Sequence, residues 1–332
     1  MKKLVNDPRK VARESLEGLA LAHPQYLRLV DDAQAVVRKD APIQGKVGVL
    51  SGGGSGHEPM FAGFVGRGMA DGSVAGNIFA SPPPQPIVTT AKALDGGAGV
   101  LFLYGNYSGD VLNFDMAAEM LEDDGIRTAT VRITDDVASA PPDRREERRG
   151  IAGDFFVIKA AGACADGNAS LEAVTAAAEE ANLHTRSMGV ALSSCIIPAS
   201  GKPIFEISES DMEVGMGLHG EPGVQRAQLK SANEVAEELV RRILEDTPEL
   251  DNSEAAILVN GLGNTPLAEL YIVYRAAHAL LLRHGVTLLH SYVGNYATSL
   301  DMAGCSISLV RLTEPLKRWI AAPAHTPALV QV

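Results

Sequence analysis

Val47-Gly48-Val49-Leu50-Ser51-Gly52-Gly53-Gly54-Ser55-Gly56-His57-Glu58-Pro59 joins a short apolar run to a run of glycines that ends in a histidine. Val and Leu in a run of strand length, followed by small residues and then a new element, is how a βα unit of a parallel sheet begins. Outward from it the same alternation continues. Apolar runs at 99–104, 128–133, 188–193, 255–260, 286–290 and 305–311 predict strands. Between them, 111–122, 170–181, 232–244 and 266–283 carry apolar residues every three or four positions and predict helices. Gly125 and Gly285 stand where those helices should stop, and Thr265-Pro266 is a start signal. The expectation is an α/β protein of two domains, 1–184 and 185–332, each with a mainly parallel or mixed sheet flanked by helices.

Composition narrows the function. A formal net charge of −12 over 332 residues speaks against nucleic acid, whose phosphates need a basic surface. Met1 to His23 is charged and helical in pattern, with no signal-peptide core. No run of about 18 apolar residues occurs, so no membrane span and a cytoplasmic location are expected. The three cysteines, Cys164, Cys195 and Cys305, are far apart and odd in number, which fits core residues rather than disulfides or zinc ligands. The eight histidines show no metal-ligand spacing, and no metal is expected on the chain. The segment 134–150 is dense in Asp, Pro, Glu and Arg. It reads as a solvated loop, or alternatively as a lid or docking loop.

Three segments can carry chemistry. In the first, Gly54, Ser55 and Gly56 lead to His57. Glycines bring backbone N–H groups close to a ligand, and a histidine at their end can move a proton. A phosphate-binding loop requires Gly-Lys-Ser/Thr, but His57 follows Gly56; the dinucleotide fingerprint fails at the same position. The chain therefore shows no nucleotide site. In the second segment, Gly105-Asn106-Tyr107-Ser108-Gly109-Asp110 follows a strand, and Asp110 is either a helix cap or an acid/base partner of His57. In the third, four glycines and a proline surround His219 in Gly215-Met216-Gly217-Leu218-His219-Gly220-Glu221-Pro222-Gly223. Such a stretch neither packs a core nor forms a helix; it is suited to presenting His219 in one pose.

These segments together resemble the K subunit of the dihydroxyacetone kinase family. The likeness rests on the glycine segment, Ile78-Phe79-Ala80-Ser81-Pro82, Asn106-Tyr107-Ser108-Gly109-Asp110, Leu218-His219-Gly220-Glu221-Pro222-Gly223, Thr265-Pro266-Leu267-Ala268-Glu269-Leu270-Tyr271 and Ser299-Leu300-Asp301-Met302, in the family's order. It implies that His219 binds the ketose covalently, that His57 accepts its hydroxyl proton and that Asp110 assists. Gly54 to His57 and Ser81 would line the site. It further implies a homodimer and a separate L-type subunit that carries Mg-ATP, or a bound Mg-ADP recharged by a phosphotransferase-system protein. No cofactor is then expected on this chain.

The chemistry of such a histidine is plain. A ketose and glycerol offer similar hydroxyls, but only the ketose has an electrophilic carbon, so a neutral imidazole can form a hemiaminal with one and not the other. At the ordinary histidine pKa roughly three quarters of such rings are neutral at pH 7. One position departs from the pattern: family members for dihydroxyacetone carry a lysine where this chain has Gly105. That opens room for a tetrulose such as erythrulose, against the reading of an ordinary dihydroxyacetone enzyme. The rival function is a ketose-binding co-activator of a transcription regulator. Such a sensor has no need of His57 and Asp110 beside His219.

Overall fold

A six-stranded sheet forms around the glycine-rich stretch in the computed structural model, which describes residues 2–332. Its elements are α1 (Val11–Ala22), β1 (Leu27–Leu29), β2 (Ala35–Arg38), β3 (Gly48–Ser55), β4 (Gly72–Ile78), α2 (Pro84–Leu94), β5 (Val100–Gly105), α3 (Ser108–Asp123) and β6 (Thr128–Ile133). Helices α4 (Asp154–Asp166) and α5 (Leu171–His184) follow. The strand order is β1-β2-β4-β3-β5-β6; the β4-β3-β5-β6 pairings are parallel, and β1 and β2 pair antiparallel at one edge. Ile87, Val88 and Ala91 of α2 and Phe114, Ala117 and Leu121 of α3 pack with Leu50, Val74 and Phe102 of the strands into one core.

The glycine run is strand rather than loop: β3 continues through Ser55, and every residue in it is buried. The reason is crowding on both faces. A Cβ on Gly52 would lie 2.6 Å from the Val74 side chain, and one on Gly53 would lie 2.7 Å from Phe61. Only glycine lets these neighbours approach. The strand does not run into a helix as expected; a turn and a short 3-10 segment, Ala62–Phe64, come next.

The second sheet is built from β7 (Thr185–Ala191), β8 (Asp211–Val214), β9 (Gln225–Gln228), β10 (Glu254–Gly261), β11 (Thr287–Gly294) and β12 (Gly304–Arg311). It is mixed, in the order β11-β10-β12-β7-β8-β9, with β10–β11 its one parallel pair. Helices α6 (Ala232–Asp246) and α7 (Leu267–Arg283) bury Leu239, Ile243, Leu270 and Ala277 against Ile257, Val259 and Ile307. Ser231 and Glu234 close a reciprocal capping box at the start of α6. Thr265 does not cap α7; its hydroxyl donates to Gly304 O at 2.6 Å and accepts from Gly304 N–H at 2.8 Å, tying the helix entrance to β12.

The two compact units do not follow a single cut in the sequence. One comprises 2–133, 155–181 and 315–332, the other 134–154 and 182–314. The last segment belongs with the first unit because α8 (Glu314–Ala321) ends on Lys159 of α4, whose buried amine donates to Trp319 O at 2.9 Å and Ala322 O at 2.7 Å. The small strands β13 (Ala324–His325) and β14 (Val330–Gln331) follow, with His325 bridging to Arg67. Residues 134–150 are no simple solvated loop: Asp135, Asp136 and Arg148 are buried, and Arg148 is paired with Asp246. Among the described residues no helix is long and apolar enough to cross a membrane.

Candidate functional site

In the first unit the expected residues gather at the carboxyl ends of β3, β4 and β5, where open α/β sheets place ligands. Ser55 closes β3 and donates its hydroxyl to Gly76 O at 2.7 Å. Gly56 takes φ +104, a conformation that favours glycine, and its N–H donates to Glu58 Oε1 at 3.1 Å. The amides of Gly52 and Gly53 lie in the sheet and not in a free nest. His57 is 2% exposed, more enclosed than a ring at an open mouth.

Phe79 is the neighbour that sequence reading missed. Its ring stacks on His57 with centroids 5.1 Å apart and planes 20° from parallel. Phe79 holds φ +57, and its N–H donates to Ser55 O at 2.9 Å. Gly54 and Gly76 make this turn possible: a Cβ on Gly54 would sit 2.8 Å from Ala80 N, and one on Gly76 would overlap Ala80 O. Ser81 follows directly, accepts a hydrogen bond from Asn113 Nδ2 at 3.1 Å, and lies 3.4 Å from where a Gly109 Cβ would be. Gly105 ends β5 opposite Ile133 and is buried. Asp110 is not the cap of α3, which starts at Ser108 with Tyr107 in the cap position. It lies in the first turn, buried, where the helix dipole favours a carboxylate.

His219 lies in the other unit, on the segment that links the antiparallel strands β8 and β9. The segment is folded onto itself by Gly217 N–H to Glu221 O at 3.3 Å and Gly220 N–H to Gly217 O at 3.3 Å. Gly215 and Gly220 both hold φ +81. Ser299 Oγ donates to Leu218 O at 2.6 Å, anchoring the residue before the histidine. His219 Nδ1 stands 3.0 Å from Glu221 Oε1, and its backbone N–H donates to Glu221 Oε2, also at 3.0 Å. Burial raises the Glu221 carboxyl, but the bonds and charge of His219 and the Arg149 guanidinium outweigh it and bring it down to about 2. An ionised carboxylate only accepts, so in this pair Nδ1 is the donor and carries a proton. Glu221 is the second residue that sequence reading passed over, although it stands two positions from the histidine.

A Dak1 domain profile matches residues 17–328. The chain is 47% identical to the dihydroxyacetone-binding subunit DhaK of PTS-dependent dihydroxyacetone kinase 2 from Listeria innocua, over 98% of each. It is 44% identical to L-erythrulose kinase from Pectobacterium atrosepticum, of which it spans about half, 55% of that protein and 98% of this one. Two solved structures share the fold. The dihydroxyacetone kinase of C. freundii in complex with AMP-PNP and Mg2+ aligns with a TM-score of 0.92 and 32% identity, over 99% of this chain and 61% of that one. The dihydroxyacetone kinase operon co-activator DhaQ aligns at 0.90 and 29%, over 96% and 98%.

Proposed function

The chain belongs to the dihydroxyacetone kinase family as a Dak1-domain, ketose-binding subunit, and on that premise we propose that it captures a short ketose on His219 and presents a terminal hydroxyl for phosphorylation. The observation that carries this reading is the 3.0 Å approach of His219 Nδ1 to Glu221 Oε1, which leaves Nε2 as the nucleophile. Its lone pair forms the bond to C2 as the carbonyl π pair moves to oxygen. One proton leaves Nδ1 by way of Glu221 and one reaches that oxygen. The adduct therefore has the composition of protein plus ketose, with nothing oxidised or reduced. The covalent bond fixes the terminal hydroxyl, an orientation effect that in favourable cases reaches about 7–11 kcal/mol.

In this reading His57, steadied by Phe79, takes the hydroxyl proton, and Asp110 assists. Gly54, Ser55, Gly56, Ser81 and Gly105 form the surround of the sugar. The phosphoryl group comes from Mg-bound nucleotide on an L-type partner, a reading supported by the absence of any phosphate-loop motif in the sequence. The substrate is dihydroxyacetone or a tetrulose. The glycine at 105 and the likeness to an erythrulose kinase support the larger sugar, and the likeness to the Listeria subunit supports the smaller. Full-length likeness to a co-activator keeps ketose sensing as a second reading.

The test is native mass spectrometry with dihydroxyacetone, both erythrulose enantiomers and glycerol. Each ketose should add its whole mass, without loss of water, to the wild type and not to His219→Ala; glycerol should add nothing. An adduct of equal occupancy on the folded His219→Ala protein refutes the assignment. Turnover with an L-type subunit, lost in His57→Ala while the adduct persists, separates kinase from sensor.

A further inference from the structure

We propose that Arg149, from the segment 134–150, is a positioning residue that holds Glu221 in place and through it decides which nitrogen of His219 attacks the ketose. This rests on the reading of His219 given above and extends it to a part of the chain that no motif marks. Asp136 is 1% exposed at its side chain and accepts from Arg149 Nε at 3.0 Å and Nη2 at 2.7 Å. Nη2 also donates to Gly215 O at 3.3 Å, at the start of the histidine segment. With one edge of the guanidinium so fixed, Nη1 faces Glu221 Oε2 at 3.9 Å, and the other carboxylate oxygen faces His219. Asp136, Arg149 and Glu221 thus form a row of alternating charge that ends against the imidazole of His219. Gly217 lies across it: a Cβ there would fall 2.7 Å from Arg149 Nη1 and on Glu221 Oε2.

The row has a chemical consequence. A guanidinium beside Glu221 favours the ionised carboxylate and keeps it facing Nδ1, so the ring proton stays on Nδ1 and the lone pair on Nε2. Without it, the carboxylate is free to turn from Nδ1, and the ring proton can settle on either nitrogen. Arg145 and Arg186 lie within electrostatic reach of Asp135, while Arg149 faces Asp136, which burial pushes up to about 6, and beside it Asp135, which burial also raises. Both aspartates are buried and fixed, Asp135 by the backbone N–H groups of Ile151 and Gly153.

The experiment follows adduct formation with dihydroxyacetone across pH by native mass spectrometry, in wild type, Arg149→Met and Arg149→Lys. Arg149→Met should weaken the adduct on the order of 10-fold at neutral pH, the scale at which partners of functional histidines act. It should also turn the single Nδ1-protonated form of His219 into a mixture of the two tautomers in 15N spectra, a change that a merely structural role does not produce. Arg149→Lys should restore most of both. Because Asp136 is buried, Arg149→Met can fail to fold; the wild type with 15N-labelled histidine then decides. It should show the proton of His219 on Nδ1, and a proton on Nε2 overturns the proposal. Absence of any adduct in the wild type sinks the reading of His219 itself. An adduct in the wild type with unchanged affinity and an unchanged His219 tautomer in Arg149→Met sinks only this inference.

Discussion

At the scale of single residues, each candidate histidine was legible and its keeper was not. His57 and His219 announce themselves because each is a histidine set in a run of glycines, although both runs prove to be packed: β3 is wholly buried, and Met216 and Leu218 are buried beside His219. Phe79 gives no such signal, since an isolated phenylalanine after a strand reads as core; it stacks on His57 from the turn after β4, where it holds φ +57. Phe79→Ala should therefore leave the ketose adduct intact but lower turnover by about 10- to 100-fold, the cost of a misplaced catalytic group. Equal kcat in the variant removes Phe79 from that role. Gly217→Ala is the complementary case. Its φ is not in the left-handed region, yet its Cβ would fall on the Glu221 carboxylate. Adduct affinity should drop while the thermal midpoint stays close to that of the wild type. A tightly bound ketose in Gly217→Ala contradicts the geometry at Glu221.

At the scale of elements, the longer amphipathic helices and the most apolar strands were visible, while the buried strands β2 and β4, the helices α2 and α8 and the wholly buried α4 were not. The stretch 171–184 shows a period because one face is wet, whereas α4 buries Phe155, Phe156, Val157, Ile158, Ala160 and Ala161 on all sides and so shows none. Strands β8 and β9, four residues each, are too short and polar to stand out, although they carry the His219 segment between them. Two predictions belong here. Ser231→Ala breaks the capping box of α6 and should cost about 1 kcal/mol in urea unfolding, with catalysis untouched. Lys159 is pushed down by burial to about 8, and its two carbonyl acceptors match the two protons of a neutral amine. The unfolded lysine, near 10.4, keeps its proton over a range where the folded one has lost it. Stability should therefore rise with pH from about 8 towards the unfolded value, and this component should vanish in Lys159→Met. Parallel stability curves for the two proteins would show that Lys159 stays charged when buried.

At the scale of the whole molecule, the α/β class followed from alternation of apolar runs and helical patterns, but the interleaving of the units did not. Residues 134–154 and 315–332 each belong with sequence-distant segments through buried ion pairs and backbone bridges, such as Arg148 with Asp246 and Arg67 with His325. Pairings of that kind leave no periodic trace in the sequence. The glycine at 105 also acts at this scale, through the size of sugar accepted. If it opens the site, kcat/KM with an L-type partner should favour an erythrulose enantiomer over dihydroxyacetone, and a strong preference for the triose ends that idea. The account as a whole stands on a carbon–nitrogen bond, which nuclear magnetic resonance reads directly. With 15N-histidine-labelled protein and dihydroxyacetone carrying 13C at C2, that carbon should leave the carbonyl region and show a one-bond coupling to a single histidine nitrogen, absent in His219→Ala. A C2 signal that remains a free ketone or hydrate in the presence of saturating protein, or a coupling that survives in His219→Ala, would contradict it.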